Sequence, residues 1–340
     1  MVDWFTGRLH VGSIATLLAA FVIGFIARST TTFEPGIPKP IRQYGYRSKR
    51  SPDSRRSDGD PGCPFEYLLN IYGRHHFEPF VREFRPKLKE EDPVKYSLVL
   101  DIMDAVHFAL VLVDDISDDS TQRKGKPAAH LIYGASETAN RAYFVLTKVI
   151  NRALRERLVL GLELMKALEN ILHGQDLSLV WRRDGLASFH CQGGERVAAY
   201  KTMAGLKTGT LFVLIGRLLN DGGDELDDLL TRFGWYAQLQ NDCKNIYSAE
   251  YATSKGAVAE DLRNGELSFP IIIALSQDNS NQLVEKALHT RAEEDIEAAV
   301  DALQSPRVKE TCMKALQEAG CGMERLALLW GRREKMGAGS

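Results

Sequence analysis

A surplus of charge of either sign is missing from this chain: 43 lysines and arginines stand against 45 aspartates and glutamates, a formal net charge of −2. Nucleic-acid binders normally carry a strong basic excess, so that class is set aside and no nucleic-acid partner is expected. Cysteine is sparse as well. The five present (Cys63, Cys191, Cys243, Cys312 and Cys321) are scattered, odd in number and never spaced as CxxC. Neither a disulfide framework nor a zinc site is indicated, and the main domain is expected in a reducing compartment. Alternating β-branched runs are few, and no internal repeat or low-complexity segment interrupts the chain after Pro64. What is there is helical periodicity, with long apolar-periodic segments near residues 95–116, 137–172, 196–219, 224–250 and 281–335. With 340 residues, 44% of them hydrophobic, the chain can bury a sizeable core. The pattern predicts an all-α protein with a single helical-bundle domain over residues 63–336.

The N-terminus differs in kind. Val11 to Ala27 contains no charged residue and includes Leu17, Leu18, Phe21, Val22, Ile23, Phe25 and Ile26. A span needs roughly 17 to 25 residues, so residues 1–28 are expected to hold a membrane anchor, with a cleaved signal segment or an interfacial helix as alternatives. Basic residues crowd its C-terminal side (Arg28, Lys39, Arg42, Arg47, Lys49, Arg50), against Arg8 before it. By the positive-inside rule the main domain then lies in the cytosol. Residues 29–62 lose apolar periodicity to Pro, Gly, Ser, Thr, Arg and Asp and read as a disordered basic linker.

Chemistry enters at Asp114-Asp115-Ile116-Ser117-Asp118-Asp119, which follows the uninterrupted apolar run Phe108 to Val113. Asp114 and Asp118 are i and i+4 on one helical face, with Asp115 at its edge, so three hard oxygen ligands can converge. Carboxylates crowded at the end of a core helix require cations, and magnesium together with substrate phosphate suits such a set. A second polar cluster, Gln238 to Asn245, sits in another apolar helical pattern and offers Asn241, Asp242 and Asn245 as a weaker oxygen set. Arg123-Lys124, Lys201-Thr202 and Lys255 supply cations for an anion bridging the two helices.

These motifs, in this order, resemble the trans-isoprenyl diphosphate synthase family, most closely its fungal geranylgeranyl diphosphate synthase group. The resemblance covers about Pro64 to Arg333. It rests on Asp114-Asp115-x-x-Asp118 with Arg123-Lys124-Gly125-x-Pro127, His130-x-Ile132-Tyr133-Gly134, Gly174-Gln175, Lys201-Thr202, Gln238 to Asn245, Lys255-Gly256, Glu260-Asp261-Leu262-x-x-Gly265 and Ser268-Phe269-Pro270. It implies an isoprenoid-synthase bundle in which two aspartate-rich helices face a central cavity. An allylic diphosphate is held there through about three Mg²⁺ ions, which stabilise the departing diphosphate. Carried over by position, Asp114, Asp115, Asp118 and Asp242 are the metal ligands. Asp114, Asp115, Asp118 and Lys201 are the catalytic set, and Arg123, Lys201, Thr202, Gln238, Asn245 and Lys255 hold the allylic diphosphate. Phe108, Ala109 and Leu110 set the prenyl-chain pocket, where the absence of an aromatic stopper at Ala109 and Leu110 favours a C20 tail and Phe108 caps the far end. A homodimer is also implied.

The acceptor side departs from that pattern. Where members that elongate with isopentenyl diphosphate carry Gly-Lys-x-x-Arg, this chain has Gly73-Arg74-His75-His76-Phe77. The acceptor ligands expected by position are Arg74, His107, Lys124 and Phe77. Asn241 and Glu266 depart on the donor side, where the family usually has aspartate and lysine. Together these look like the fungal indole-diterpene prenyltransferases of secondary metabolism, which join geranylgeranyl diphosphate to indole-3-glycerol phosphate and give 3-geranylgeranylindole. The alternatives are a geranylgeranyl diphosphate synthase using isopentenyl diphosphate, a terpene cyclase and a non-catalytic partner subunit.

Overall fold

The computed structural model describes residues 62–185, 194–255, 257–277 and 281–336. The anchor and linker expectations fall on residues outside that set. The described residues are helical apart from one two-stranded hairpin. In chain order, α1 (Pro64–Tyr72), α2 (Glu78–Phe84) and α3 (Leu88–Glu91) lead into α4 (Pro93–Ser117). The hairpin of β1 (Gln122–Arg123) and β2 (Lys126–Pro127) follows, then α5 (Ala129–Tyr133), α6 (Ala135–Glu156) and α7 (Leu158–Asp184). After α8 (Gly194–Ala204), a π-helical turn over Gly205–Gly209 leads into α9 (Thr210–Leu219) and α10 (Asp227–Tyr247). The remainder is α11 (Ala249–Lys255), α12 (Glu260–Asn264), α13 (Phe269–Leu275), α14 (Asn281–Thr290), α15 (Glu293–Leu303), α16 (Pro306–Gly320) and α17 (Glu324–Met336).

Helix α4 starts where the sequence gives it a start. The Asp92 side chain accepts the Lys95 N–H at 2.9 Å, and Pro93 occupies the first turn, where its missing N–H costs nothing. Its composition alone would let it cross a membrane, yet 67% of its most apolar window is buried inside the protein, as befits a core helix. Leu98, Val99, Ile102, Met103 and Val106 belong to the largest apolar cluster, in which α4 packs against α6 and α9 and to which α7 and α10 also contribute. An aromatic group made by Phe77, Phe80, Phe212, Phe233 and Trp330 closes one end, with Phe212 4.9 Å from both Phe233 and Trp330 between ring centres. A second apolar cluster gathers α8, the C-terminal half of α10 and α13 to α16.

Two glycines decide how closely the helices around the π-turn approach. A Cβ on Gly174 of α7 would meet the Lys207 backbone nitrogen at 2.7 Å, and one on Gly234 of α10 would meet Gly209 Cα at 2.6 Å. The π-turn is therefore gripped backbone-to-backbone from two sides. Because those contacts involve backbone atoms, no side-chain rotation relieves them. Gly234→Ala should destabilise the fold by about 1–3 kcal/mol, the usual cost of overpacking, read as a lower urea midpoint at unchanged slope.

Candidate active site

A cavity of about 450 Å³ lies between α4, α7, the π-turn and α10. That size falls within the range of small-molecule sites. One wall is apolar, built from Ala109, Leu110, Val113, Leu146, Ile171, Leu172, Leu211 and Phe212. The opposite end is charged. Asp114, Asp118, Asp242, Glu260, Asp261 and Glu266 reach it, against Arg123, Lys124, Lys207 and Lys244.

Along α4 the residues His107, Leu110, Val111, Asp114 and Asp118 all line the cavity. Their spacing is i, i+3, i+4, i+7 and i+11, one face of a helix. Asp115 lies off that face. It is fully buried and accepts from Arg123 through Nε, at 2.9 Å to Oδ1 and 3.3 Å to Oδ2, and through Nη2 as well. The hairpin makes this pairing possible: Lys124 and Gly125 both take positive φ, 52° and 72°, the conformation of a tight two-residue turn, and so fold Arg123 back over the end of α4. The expected convergence of Asp114, Asp115 and Asp118 is thus corrected, because Arg123 holds Asp115 away from the other two. Arg123 in turn is engaged by a carboxylate.

Each cavity-facing aspartate has partners of its own. Asp114 Oδ1 accepts from Gln175 Nε2 at 3.2 Å and from Lys207 Nζ at 3.3 Å. Asp118 Oδ1 accepts from Arg182 Nη1 at 2.6 Å, while Arg182 Nη2 donates to the Ser117 carbonyl at 2.8 Å. Asp242 accepts the Phe269 N–H at 2.9 Å, Gln238 Nε2 at 2.8 Å and the Tyr200 hydroxyl. Lys207 Nζ also stands 3.5 Å from Glu266 Oε1. Burial pushes the Asp118 carboxyl up to about 8, reinforced by the negative charges of Asp114 and Glu266. Burial also raises Asp242 to about 6, even with its three hydrogen-bond donors. For Lys207, burial alone would lower the ammonium, but Asp114, Glu266 and Asp118 together outweigh it and hold the proton on. The site carries more negative charge than its own cations neutralise.

A model of the polyprenyl synthetase family matches residues 63–303. The chain belongs to the polyprenyl synthetase family. Among its relatives, Prenyltransferase terC of Tolypocladium album is 68% identical over 339 residues, which is 100% of both chains. Prenyltransferase idtC of Claviceps paspali is 56% identical over 98% of this chain and 97% of its own. A crystal structure of polyprenyl synthase from Caulobacter crescentus CB15, complexed with calcium and isoprenyl diphosphate, has a TM-score of 0.64 at 22% identity, covering 82% of this chain and 87% of that one. The expected all-α isoprenoid-synthase fold is therefore present. The chain is a prenyltransferase.

In this polyprenyl synthetase family member, the lysine–threonine pair at the cavity is not the one its sequence suggested. Lys201 and Thr202 are exposed. The Lys201 ammonium lies 5.5 Å over the Trp235 ring, and Thr202 Oγ1 donates to the Ala198 carbonyl at 3.0 Å. Lys207 and Thr208, the same dipeptide six residues on, line the cavity instead, with Thr208 Oγ1 donating to Gln238. The π-turn shifts the helical phase between the two pairs and delivers the second one inward.

Other expectations are corrected in the same way. Phe77 is fully buried in the aromatic core and does not line the cavity, and Arg74 points to solvent, paired with Glu66 at 2.5 Å. Phe108 is fully buried among Phe65, Tyr72, His76 and His107 and does not line the cavity, whereas Ala109 and Leu110 do. Asn245 stands behind the cavity and donates to Asp261 at 3.1 Å. The side chain of Lys255 falls outside the described residues. Gln238, His107, Lys124 and Asp242 reach the cavity. Arg182 and Tyr200 were missed; Arg182 belongs to an exposed-looking Arg-Arg pair near the end of α7, and nothing local marks Tyr200.

The donor set fits divalent cations. The ligands gathered at the charged end are carboxylates and amides, which are hard oxygen donors. Among the described residues, no three metal-ligating groups already stand together. Two outcomes follow. Lys207→Gln should lower kcat/KM for prenyl transfer by about 10²-fold or more, while Lys201→Gln stays within about twofold. Phe77→Arg should cost roughly 3 kcal/mol or more by burying an unpaired charge in the aromatic core, seen as a lower Tm rather than as a changed acceptor preference.

Proposed function

We propose that this prenyltransferase ionises geranylgeranyl diphosphate and transfers the C20 chain to C3 of indole-3-glycerol phosphate, giving 3-geranylgeranylindole. The observation that carries the reading is the shortage of cations at the acceptor end. Arg74 is turned to solvent and Phe77 to the core, which leaves His107 and Lys124 from the expected acceptor set at the cavity. Of these two only Lys124 carries a fixed charge, which suits a monophosphate better than a diphosphate. Tyr72 lines the same region and offers a face to an aromatic acceptor.

Asp114, Asp118 and Asp242 would hold magnesium, about three ions as in related two-carboxylate-cluster sites, and these supply the positive charge that stabilises the leaving diphosphate. Lys207 adds a fixed cation beside Asp114 and can hold a diphosphate oxygen. Thr208 and Gln238 orient one another at the same end. Ala109 and Leu110 leave the apolar wall open for a long tail, and that wall excludes water from the allylic cation. The electron-rich indole C3 attacks C1 of the cation as the C1–O bond breaks.

Two further parts of the reading concern placement. An anchor over residues 11–27 is supported by their uncharged composition and by the basic residues after them, with the catalytic domain in the cytosol. A homodimer is supported by the exposed apolar side chains Tyr143, Phe144, Leu158, Leu162 and Met165 along α6 and α7.

Incubating the purified protein with Mg²⁺ and geranylgeranyl diphosphate, plus either indole-3-glycerol phosphate or isopentenyl diphosphate, should yield the prenylindole from the first pair. Chain elongation with no prenylindole would refute the proposal. Asp114→Asn should lower turnover by about 10²–10³-fold, and chelation with EDTA should stop it until Mg²⁺ is restored.

A further inference from the structure

Attachment of a prenyl group to an indole C3 that already bears a side chain makes that carbon quaternary. Aromaticity returns only when the side chain leaves. In a phosphorylated three-carbon chain the carbon next to C3 carries a hydroxyl, and the C–C bond breaks when a base removes that proton. At the diphosphate end, Asp114, Asp118 and Asp242 already accept from neighbouring donors. The acceptor end offers imidazoles for this step.

There, a buried acid and two imidazoles form a file that ends in the cavity. Asp104, one helical turn before His107 on α4, has a side chain only 6% exposed. Its Oδ2 accepts the His75 N–H at 2.9 Å, and its Oδ1 stands 3.5 Å from His76 Nδ1. The His76 side chain is 3% exposed, and its ring lies against that of His107 with centres 4.6 Å apart. His107 then reaches the cavity wall. Burial of a carboxyl and an imidazole this deep costs stability, and apolar side chains would fill the same space without that cost. Lys124 and His107 flank one ring: the Lys124 ammonium is 4.3 Å from the centre of Tyr72, and the His107 ring is 5.8 Å from it. A phosphorylated three-carbon chain laid along that ring would have its phosphate at Lys124 and its hydroxyl at His107.

The geometry points to His107 as the general base of the acceptor step, with His76 and Asp104 as positioning residues that orient its ring and offset the imidazolium charge. The inference rests on the proposed indole-3-glycerol phosphate reading. The bond from indole C3 to prenyl C1 forms as the C1–O bond of the donor breaks, and the diphosphate leaves with that electron pair. A His107 nitrogen takes the hydroxyl proton. The O–H electrons become the new carbonyl, the bond from C3 to the side chain breaks, and its pair restores the C2–C3 double bond and neutralises the indole nitrogen. The side chain departs as glyceraldehyde 3-phosphate, and the proton passes from His107 to solvent. No oxidant or reductant is needed.

The test follows both leaving groups within one turnover, using the full chain with Mg²⁺, geranylgeranyl diphosphate and indole-3-glycerol phosphate. The unaltered protein should release diphosphate and glyceraldehyde 3-phosphate in equal amounts. In His107→Gln, diphosphate release should stay within about threefold while glyceraldehyde 3-phosphate falls by about 10²–10⁴-fold, the usual worth of a general base. A borohydride quench should then trap a reduced indoline bearing both chains. Asp104→Asn and His76→Gln should each lower kcat for glyceraldehyde 3-phosphate by about tenfold at unchanged acceptor KM, with circular dichroism confirming the fold. Parallel slowing of both releases in His107→Gln, or a raised acceptor KM at unchanged kcat, would overturn the inference and leave His107 a phosphate ligand. An unaltered protein that elongates isopentenyl diphosphate and releases no glyceraldehyde 3-phosphate would instead remove the acceptor reading, and this inference with it.

Discussion

The site is organised around one ammonium held among carboxylates. Lys207 sits 3.3 Å from Asp114 and 3.5 Å from Glu266, and those two with Asp118 keep it protonated against the cost of burial. The carboxylates in turn need it, since Asp118 is pushed up to about 8 where burial and its acidic neighbours act together. Neither sign of charge is stable there alone. The backbone satisfies this demand through the π-turn at Gly205–Gly209, which Gly174 and Gly234 allow to lie in direct contact with α7 and α10. The same lysine accounts for Glu266. Its carboxylate has a partner in Lys207.

Helix α4 sets the order of side chains along one side of the cavity. At 1.5 Å per residue, the 14 residues from Asp104 to Asp118 cover about 21 Å. His107, then Leu110 and Val111, then Asp114 and Asp118 follow one another along the cavity, with Asp104 one turn before the first of them. A rigid helix keeps these groups at fixed separations. The hairpin after it reuses Arg123 to neutralise Asp115, so the aspartate off the cavity face is not left as a buried unpaired charge.

Local pattern made much of this legible. Apolar periodicity and the scarcity of alternating β-branched residues indicated an all-α chain, and i, i+4 spacing put Asp114 and Asp118 on one face. Gln238 and Asp242 were placed by the same logic on α10, and both reach the cavity. The errors share one cause. Lys201-Thr202 and Lys207-Thr208 are identical dipeptides, and only the phase shift of the π-turn and its grip by two glycines separate the exposed pair from the lining pair. Arg74 and Phe77 were assigned by register to the acceptor site, yet the short segment between α1 and α2 sends one to solvent and the other to the aromatic core.

The sequence by itself determined the helices, the face on which Asp114 and Asp118 meet and the kind of chemistry that face can perform, because those depend on spacing along one element. Tertiary structure alone decided which cations reach the carboxylates, that Asp115 belongs to Arg123, and that Asp104, His76 and His107 form one file. Those pairings join residues whose separation in space is set by helix packing, and packing follows from where backbones can touch rather than from any local run of residues.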